Sequence, residues 1–522
     1  MSPAGPGANS PEPGEPTTDF DARQFPDNVL PVIFVSGTPY EMGHQYGQQA
    51  ADLIKTNACF IESELIANCG TWAAIVERAS VYKAIVEAKT PEMIELWQGI
   101  ADGSGQSFET VTMINVSMEI GTPVAKARNC STISAWGSAT KNGQVIAGSN
   151  ADGCGYYRVN VIAYPNEGNS FMVVGSEAGG LKSPRVMNEK GVVLMGSAGQ
   201  AARPEDNAPA YPVMVADVYA LWKSDTAALA KDLLVSLGRG GMGDIDNVLD
   251  ASGDAYVIET TSAACGVRTS GDFGERDYLV ATNFFLTETM QPANYADQSE
   301  SGEIDDWYRY GTMEEFIKTT WGDLSIDTLM RILSCHDYYG TRDPVTGAVD
   351  TSKPQLWHRN VWSLEPVGNE QSGWTPGVRA LAMTNDHREI WLPGEMTLYL
   401  MVGSDDPNIA AIPHATGRFY KLVLAKSPAE VAAASHQTTL VQIWHAARNL
   451  DLAKYPSAAL EAKLDDAKVA IWEGINLESQ AAISADPSQA ALLYGRATTC
   501  FCKAQCYAEQ AQGLDSTCCA PP

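Results

Sequence analysis

The chain has 522 residues, of which 45% are apolar and 19% charged. This composition supplies enough apolar material for a large core and excludes a wholly disordered protein. Lys and Arg number 35 against 63 Asp and Glu, so the net charge is −28. A chain this acidic repels phosphate groups, so we expect neither nucleic acid nor an anionic membrane surface as a main partner. Its longest apolar runs fall well short of the roughly 18 residues that a membrane-spanning helix needs, so no transmembrane segment is expected.

Residues 1–28 are rich in Pro, Gly, Ser, Glu and Asp and contain no apolar signal segment. A segment of this composition buries too little surface to fold, so it is predicted to be a disordered tail. Tails of this kind often follow an export signal or a lipid-bearing cysteine, which would place the protein in the periplasm or outside the cell. An ordinary disordered N-terminus is the alternative.

The rest of the chain divides by pattern into three parts. A strand-like run at 29–37 precedes two helical patterns, at 45–69 and 91–105. From about 129 to 290, seven strand-like runs separated by turn signals surround a helical stretch at 209–238, and further strand-like runs follow near 378–403. Residues 428–513 form three helical patterns. The prediction is an α+β fold with two sheets and flanking helices, followed by a C-terminal helical extension.

The eleven cysteines are unevenly distributed, since five of them lie between residues 500 and 519. Disulfide bonds in an oxidising compartment are the favoured interpretation. A thiolate metal site is the alternative, but the spacing C-x-C-x3-C…CC lacks the paired C-x2-C elements of common zinc modules. We therefore predict no metal and no cofactor.

Common catalytic motifs are absent from the sequence. There is no G-x-S-x-G, no H-E-x-x-H, no P-loop and no G-x-G-x-x-G after a strand. The seven histidines are scattered, and although His336 follows Cys335, a catalytic Cys–His pair requires proximity in space rather than in sequence. A histidine-dependent mechanism is therefore not indicated.

The most informative segment begins at Arg128-Asn129-Cys130. Cys130 is the first residue of a strand-like run, and a strand–turn–strand pattern follows. If the Asn129–Cys130 bond were cut, Cys130 would gain a free α-amine, whose ordinary pKa is about 7.7–8.0. One residue could then supply both a thiol nucleophile and a general base, without a histidine.

Residues 129–152, NCSTISAWGSATKNGQVIAGSNAD, resemble the start of the catalytic subunit of N-terminal nucleophile (Ntn) hydrolases. Within that superfamily the segment is most similar to the acyl-coenzyme A:6-aminopenicillanate acyltransferase-like cysteine family. Four further segments also resemble that family in order and spacing, and the resemblance covers roughly residues 29–405. They are SGTPYEMGHQYGQQ at 36–49, VMNEKGVVLMGSAG at 186–199, SGDAYVIET at 252–260 and the Thr282-Asn283-Phe284 step.

The resemblance implies a four-layer αββα sandwich that is made as a precursor. Self-cleavage at Asn129–Cys130 would leave a propeptide or α subunit at 29–129 and a catalytic β subunit at 130–427, which stay associated. Residues 428–522 would form a helical, cysteine-rich extension. The mature enzyme would hydrolyse or transfer an acyl group held in amide linkage on a small-molecule substrate.

The resemblance also implies roles for individual residues. Cys130 would be the nucleophile and, through its α-amine, the base. Asp152 would hold that amine and stabilise its protonated form, and Asn283 would donate its side-chain amide to the oxyanion. The chain departs from the family twice: Asn129 stands where glycine is frequent, and Ser149-Asn150 stands where Arg-Asn is frequent.

The role of Asp152 depends on the register of the hairpin that it ends. With a two-residue turn at 142–143, Asp152 would lie opposite Ile133, out of phase with Cys130. With a three-residue loop and a bulge, it would lie opposite Thr132 and share the Cys130 face. The catalytic hypothesis therefore predicts a bulge or a longer loop.

Two other polar residues lie in the motifs. Asn188 occupies a turn-like MNEKG segment and is predicted to be structural. Arg388 is either an arginine near the site or part of a solvated strand edge.

Three functions remain open from the sequence. The first is a self-processing amidohydrolase or acyltransferase acting on a small acylated amine, amino acid or peptide. The second is a phospholipase-B-like lipid amidase or esterase, which would need a long apolar groove. The third is a non-catalytic binding scaffold.

Overall fold

The computed structural model describes most of the chain between residues 29 and 512. The described ranges are 29–121, 130–153, 157–199, 201, 203–240, 243–294, 302–333, 341–342, 349–350, 384–402, 418–452 and 457–512. The predicted tail at 1–28 lies outside these ranges, as do Asn129, Cys335 and His336.

The chain alternates strands and helices, numbered in chain order. The strands are β1 (Val32–Gly37), β2 (Cys130–Gly137), β3 (Gly143–Gly153), β4 (Arg158–Pro165), β5 (Phe171–Glu177), β6 (Arg185–Asn188), β7 (Val193–Ala198), β8 (Asp244–Leu249), β9 (Ala255–Thr260), β10 (Cys265–Arg268), β11 (Tyr278–Ala281), β12 (Thr341–Arg342), β13 (Val349–Asp350), β14 (Thr384–Leu392), β15 (Thr397–Val402) and β16 (Tyr420–Val423).

The α-helices fall into an N-terminal group, two pairs within the sheet region and a C-terminal group. They are α1 (Pro39–Gln49), α2 (Ala51–Cys69), α3 (Trp72–Lys89), α4 (Pro91–Ser104), α5 (Phe108–Asn115), α6 (Ser117–Gly121), α7 (Val213–Lys223), α8 (Ala227–Leu237), α9 (Gly302–Thr319), α10 (Ile326–Leu333), α11 (Pro428–Leu452), α12 (Ala458–Ile483) and α13 (Pro487–Ala511).

The strands form two large sheets, as the sequence predicts. One has eight strands in the order β1-β4-β5-β6-β7-β8-β9-β10, and the other has six in the order β11-β2-β3-β14-β15-β16. The β1–β4 pair is parallel, and every other pair in the two sheets is antiparallel. Strand β2, which begins at Cys130, lies between β11 and β3.

The two sheets share one buried core. Phe34 and Met172 of the eight-stranded sheet belong to the same apolar cluster as Ala147 and Leu398 of the six-stranded sheet. Since side chains alternate between the faces of a strand, the neighbouring residues of each strand point to the opposite face. One face of each sheet is therefore turned toward the other sheet.

The second face of each sheet packs on helices. Val161 and Val173 of the eight-stranded sheet share a cluster with Trp97 of α4 and with other residues of α1 to α8. Ile133 of β2 shares another cluster with Leu329 of α10 and with residues of α9. These contacts place α9 and α10 on the six-stranded sheet, on the face of β2 opposite the shared core.

The turn from β1 into α1 shows how the sequence sets local structure. Thr38 accepts a hydrogen bond from the Glu41 amide, and the Glu41 carboxylate accepts one from the Thr38 amide, which forms a capping box. Helix α1 then lies against α4 at very short range. A Cβ at Gly43 would lie 2.0 Å from the Leu96 carbonyl oxygen, so glycine is required at this crossing.

The C-terminal helices α11, α12 and α13 form the predicted helical extension, and α13 packs on β1. The Val32 amide donates to Thr499 Oγ1 at 3.0 Å. A Cβ at Gly495 would lie 2.5 Å from the Val32 carbonyl oxygen, so this contact also depends on glycine. Among the described helices, none is both long and apolar enough to cross a membrane.

The predicted disulfide bonds find no support among the seven cysteines in the described ranges, none of which is in a disulfide. Cys500, Cys502 and Cys506 are instead buried in α13, where they pack with apolar side chains. Burial, together with Cys500 nearby, raises the pKa of the Cys502 thiol well above its ordinary value. These thiols behave as small apolar core residues.

Candidate active site

Cys130 is the first residue of β2 and is only 7% exposed. Ala151 of β3 pairs directly with it. The next residues of β2 that share its face, Thr132 and Ser134, are fully buried toward the eight-stranded sheet, where Ser134 donates to Asn247 of β8 at 2.8 Å. The predicted nucleophile therefore lies at the end of a central strand, between the two sheets.

The β2–β3 hairpin has the irregularity that the catalytic hypothesis predicts, but neither of the predicted registers. The register shifts between Ala135 and Gly137, and Gly137 pairs with Gly143, so the connection is longer than either alternative assumed. Thr132 pairs with Ser149 rather than Asp152, and Ile133 pairs with Gly148. Both predictions for the position of Asp152 were therefore wrong. Its backbone follows Ala151 and pairs across the sheet with Asn385.

The backbone of Cys130 is held on both sides by side chains from distant elements. Its amide donates to Asn283 Oδ1 at 2.8 Å. Its carbonyl oxygen accepts a hydrogen bond from Arg309 of α9, which also donates to Ser131 Oγ and Asn283 Oδ1, each at 3.0 Å. Arg309 is fully buried. Together these contacts fix the position of the residue in three dimensions.

Asn283 therefore lies beside Cys130, as the sequence predicts, but in an orientation that the prediction did not anticipate. Its Oδ1 faces the Cys130 nitrogen, while its Nδ2 donates to the Ala198 carbonyl at 2.8 Å. Both contacts suit this assignment of the amide, because a backbone amide can only donate and a carbonyl can only accept. Donation from Asn283 to an oxyanion stays a prediction.

The side of Cys130 that faces the eight-stranded sheet borders a small cavity of about 40 Å³. Ala151, Glu177, Arg185 and His387 also line it. One water molecule needs about 10–15 Å³ on this measure, so the cavity accommodates a few water molecules. A substrate larger than a short acyl amide would require the cavity to open.

Charged side chains around the cavity are paired and buried. Lys182 Nζ lies 3.0 Å from Glu177 Oε2 and donates to Ser117 Oγ at 2.8 Å. Arg185 Nε lies 3.5 Å from Glu389 Oε2, and all four charged side chains are less than 5% exposed. Buried pairs at such a density are costly to desolvate, and buried, paired charges of this kind cluster at functional sites.

His387 joins this network through both ring nitrogens. Its Nε2 lies 2.7 Å from Glu389 Oε1, and its Nδ1 lies 3.2 Å from Arg158 Nη1. Because arginine can only donate, the network assigns Nδ1 as the acceptor and the ring proton to Nε2, which points to Glu389. Burial by itself raises the pKa of Glu389, but His387, Arg185 and Ser149 together hold it below its ordinary value.

A glycine makes room for the histidine ring. Gly175 in β5 has a φ of +61°. A Cβ at this position would lie 2.7 Å from His387 Cε1. Glycine at this position therefore permits both the left-handed backbone and the close approach of the His387 ring.

Strand alternation explains why the predicted Arg388 is not the cavity residue of its strand. His387 pairs with Ala151 and Glu389 pairs with Ser149, so both lie in phase with Cys130. Arg388 is out of phase, and its guanidinium lies 3.7 Å from Met401 Sδ, a member of the core shared with α9 and α10. Arg388 is only 2% exposed, so the solvated-edge alternative is wrong.

Four residues of the site were not predicted from the sequence: Arg185, Arg309, His387 and Glu389. Alternation along HREIWL could have indicated His387 and Glu389 once β14 was aligned with β3. Arg309 lies on a helix without an amphipathic pattern, and the position of Arg185 depends on a tertiary contact. Asn188 is structural, as predicted, since its amide donates to the carbonyls of Leu221 and Ser224.

One group of acidic residues in the described ranges has a spacing compatible with a metal ion, Asp217, Asp244 and Asp246. The Arg239 guanidinium contacts all three carboxylates. Burial is the main cause that raises the pKa of Asp217 and Asp244, and neighbouring carboxylates add to it. Because a cation of the protein already occupies the centre of this group, we assign no metal to it.

Comparisons with known proteins add only distant likenesses. No protein-family model and no curated protein matches the chain. Among solved structures, it is similar to a conjugated bile acid hydrolase from Clostridium perfringens, with a TM-score of 0.29 and 10% identity over 52% of this chain and 89% of that chain. It is also similar to penicillin V acylase from Agrobacterium tumefaciens, with a TM-score of 0.28 and 9% identity over 58% of this chain and 80% of that chain. Likeness at this level carries no argument about fold or activity.

Proposed function

We propose that this chain is a self-processing Ntn amidohydrolase or acyltransferase whose nucleophile is Cys130. The observation that carries the proposal is how Cys130 is held: its nitrogen donates to Asn283, its carbonyl accepts from Arg309, and the residue borders a small cavity whose lining includes Arg185 and His387.

The contact to the backbone nitrogen has a specific use in this mechanism. After cleavage before Cys130, the nitrogen becomes an α-amine with an ordinary pKa of about 7.7–8.0. By accepting one amine hydrogen, Asn283 Oδ1 restricts rotation of the amine and directs its lone pair. The amine can then take the thiol proton as a general base.

Self-processing begins when the Cys130 sulfur attacks the Asn129 carbonyl carbon. The peptide C–N bond breaks as the thioester forms, and the amine receives a proton. Water then hydrolyses the thioester, which releases the Asn129 carboxylate and restores the thiol. Arg309, bound to the Cys130 carbonyl, keeps the attacking residue in place throughout.

Turnover repeats the same chemistry on an external amide. The sulfur attacks the acyl carbon, the C–N bond breaks, and the departing amine takes the proton held by the α-amine. Water or a second amine then attacks the thioester, which yields a carboxylic acid or a new amide. In this scheme Asn283 donates to the oxyanion, while a role for Asp152 at the protonated α-amine stays a prediction.

We further propose a four-layer αββα arrangement, supported by the shared core between the sheets and the helix clusters on their outer faces. The boundaries at 29–129, 130–427 and 428–522 follow from the proposed cleavage, after which the two fragments would stay associated. Export to the periplasm or the cell exterior stays a prediction.

The small polar cavity favours a short acyl amide over a lipid. Its volume of about 40 Å³ is far below the 300–1,000 Å³ of typical ligand sites, and the described residues around Cys130 form no long apolar groove. We therefore favour small acylated amines, amino acids or peptides over the phospholipase-B-like alternative.

The proposal is tested by the release of free amine from a panel of N-acyl amino acids and N-acyl peptides. The wild type is compared with Cys130→Ala and with Cys265→Ala, which removes a partly buried thiol from β10. We expect activity in the wild type and in Cys265→Ala and none in Cys130→Ala. Equal activity of all three proteins would refute Cys130 as the nucleophile, and total inactivity would favour the scaffold.

A further inference from the structure

Arg185, the first residue of β6, lines the same cavity as Cys130 and is 1% exposed. Burial lowers the pKa of its guanidinium, but Cys130 and Glu389 nearby raise it above the ordinary value. Donors of the same group reach the carbonyl oxygens of Asn150, at 3.3 Å, and Pro184, at 2.9 Å. The side chain is thus held by the backbone of β3 and of the residue before β6, and it borders the same small cavity as Cys130.

Glu389 supports the same guanidinium from the opposite side. Its Oε2 lies 3.5 Å from Arg185 Nε and also accepts a hydrogen bond from Ser149. Its other oxygen lies 2.7 Å from His387 Nε2. A buried carboxylate held at both oxygens cannot move toward another cation, so it fixes the orientation of Arg185.

We propose that Arg185 stabilises the thiolate of Cys130, and that Glu389, held by Ser149 and His387, is the residue that positions Arg185. This inference rests on the proposed role of Cys130 as nucleophile. Arg185 is a catalytic residue in this scheme because it contacts the reacting sulfur. Glu389 and His387 act through it and are positioning residues.

The proposal explains how the sulfur becomes reactive without a histidine base. When the thiol ionises, the S–H bond breaks and the proton moves to the Cys130 α-amine, which leaves a thiolate and an ammonium group. A guanidinium beside the sulfur favours the charged form. Arginine suits this role because it keeps its charge when buried and offers five donors, enough for the backbone, Glu389 and the sulfur together.

Other charged groups lie near the Cys130 sulfur and the Arg185 guanidinium, and they also affect the ionisation of the thiol. They are Arg158 of β4, Glu177 of β5, Lys182 before β6, Asp244 of β8, Arg309 of α9, and His387 and Glu389 of β14. Glu177 and Lys182 pair with each other, whereas Arg185 lines the cavity beside Cys130 and pairs with Glu389.

The test titrates the ultraviolet absorbance of the thiolate in full-length wild-type protein, in Arg185→Met and in Arg185→Lys. Subtraction of the same titration in Cys130→Ser isolates the signal of Cys130. We expect Arg185→Met to shift the midpoint of thiolate formation upward by about one pH unit, or about tenfold less thiolate near neutral pH. Arg185→Lys should keep most of the wild-type midpoint because the charge remains.

Arg268→Met is the matched control, because Arg268 is an equally buried arginine that pairs with Glu275 and does not line the cavity. It should lose stability without moving the Cys130 midpoint. Equal midpoints in Arg185→Met and wild type would overturn the proposal, since a merely structural arginine would change stability alone. The midpoints are compared between samples whose intact mass shows the same cleavage state, and an unshifted midpoint in an enzyme that still releases amine separates this failure from failure of the proposed function.

Glu389→Gln tests the positioning step. It keeps the size of the side chain but removes its charge, so Arg185 should be held less firmly and the midpoint should shift in the same direction, by less than in Arg185→Met. A midpoint unchanged from wild type would remove Glu389 from the proposal.

Discussion

The Oδ1 atom of Asn283 lies 2.8 Å from the backbone nitrogen of Cys130, although 153 positions separate the two residues in the chain. This contact joins the end of β11 to the start of β2 and aims an acceptor at the atom that would become the α-amine. If this nitrogen becomes the catalytic α-amine, the Asn283 side chain orients it.

Asn283→Ala should reduce kcat/KM by about 10- to 100-fold, because a buried donor left without its acceptor costs about 1–3 kcal/mol. Two donors lose their acceptor here, the Cys130 nitrogen and the Arg309 guanidinium. Steady-state amide hydrolysis measures the effect. Asn188→Ala removes another buried structural asparagine and should cost stability without a comparable loss per folded molecule, so equal losses in both variants would contradict the account.

Arg309→Met should slow self-cleavage and turnover together, since the guanidinium holds the Cys130 carbonyl in both reactions. The rate of precursor conversion can be followed by gel electrophoresis and compared with the rate of amine release by processed protein. Arg203→Met, at an arginine that is 38% exposed and contacts Asp206, is the control. Normal conversion by Arg309→Met would show that the contact has no role in cleavage.

Gly175→Ala should destabilise the fold more than Gly271→Ala, although both residues have positive φ angles of +61° and +105°. The new methyl group at 175 would meet the His387 ring at 2.7 Å, whereas a Cβ at 271 has no neighbour within 4 Å. We expect an additional loss of about 1–3 kcal/mol in the free energy of unfolding, measured by urea denaturation. Equal losses would mean that the ring moves aside freely.

The buried carboxyl group of Asp217 predicts a dependence of stability on pH. Its pKa is raised above the ordinary value in the folded protein, mainly by burial and then by Asp246 and Asp244. A raised folded pKa contributes stability that is present below the unfolded pKa, near 4, and lost as pH rises through the folded value. Asp217→Asn should therefore weaken the decline in unfolding free energy above pH 4.

The control for this prediction is Asp232→Asn, at an acid that is 68% exposed. It should leave the pH dependence of stability unchanged. Urea titrations at a series of pH values provide the measurement. A decline in Asp217→Asn as steep as in wild type would assign the pH dependence to other groups.

Much of the secondary structure could be predicted because local signals agree with the fold. The helical pattern predicted at 91–105 is confirmed, since α4 spans Pro91–Ser104 and Gly105, with a φ of +70°, ends it. The three C-terminal helices follow the predicted patterns. Helices α9 and α10 and strand β8 were not predicted, although only α9 lacks an amphipathic pattern and that of α10 is strong.

The site could be predicted only in part. Cys130 and Asn283 carry motif signals, and the structure brings them into contact. The position of Asp152 depends on register, which a bulge and a long connection shifted beyond both alternatives. Arg185 and Arg309 have no local sequence signal, because only the tertiary packing of their strand and helix brings them close to Cys130.

The most direct test of the central claim is the intact mass of purified protein under denaturing conditions, measured beside Cys130→Ala. The account predicts two fragments in the wild type, separated between Asn129 and Cys130, and a single full-length chain in the variant. A single uncut chain in both samples would contradict self-processing. Cleavage at the same bond in Cys130→Ala would contradict the role of the thiol.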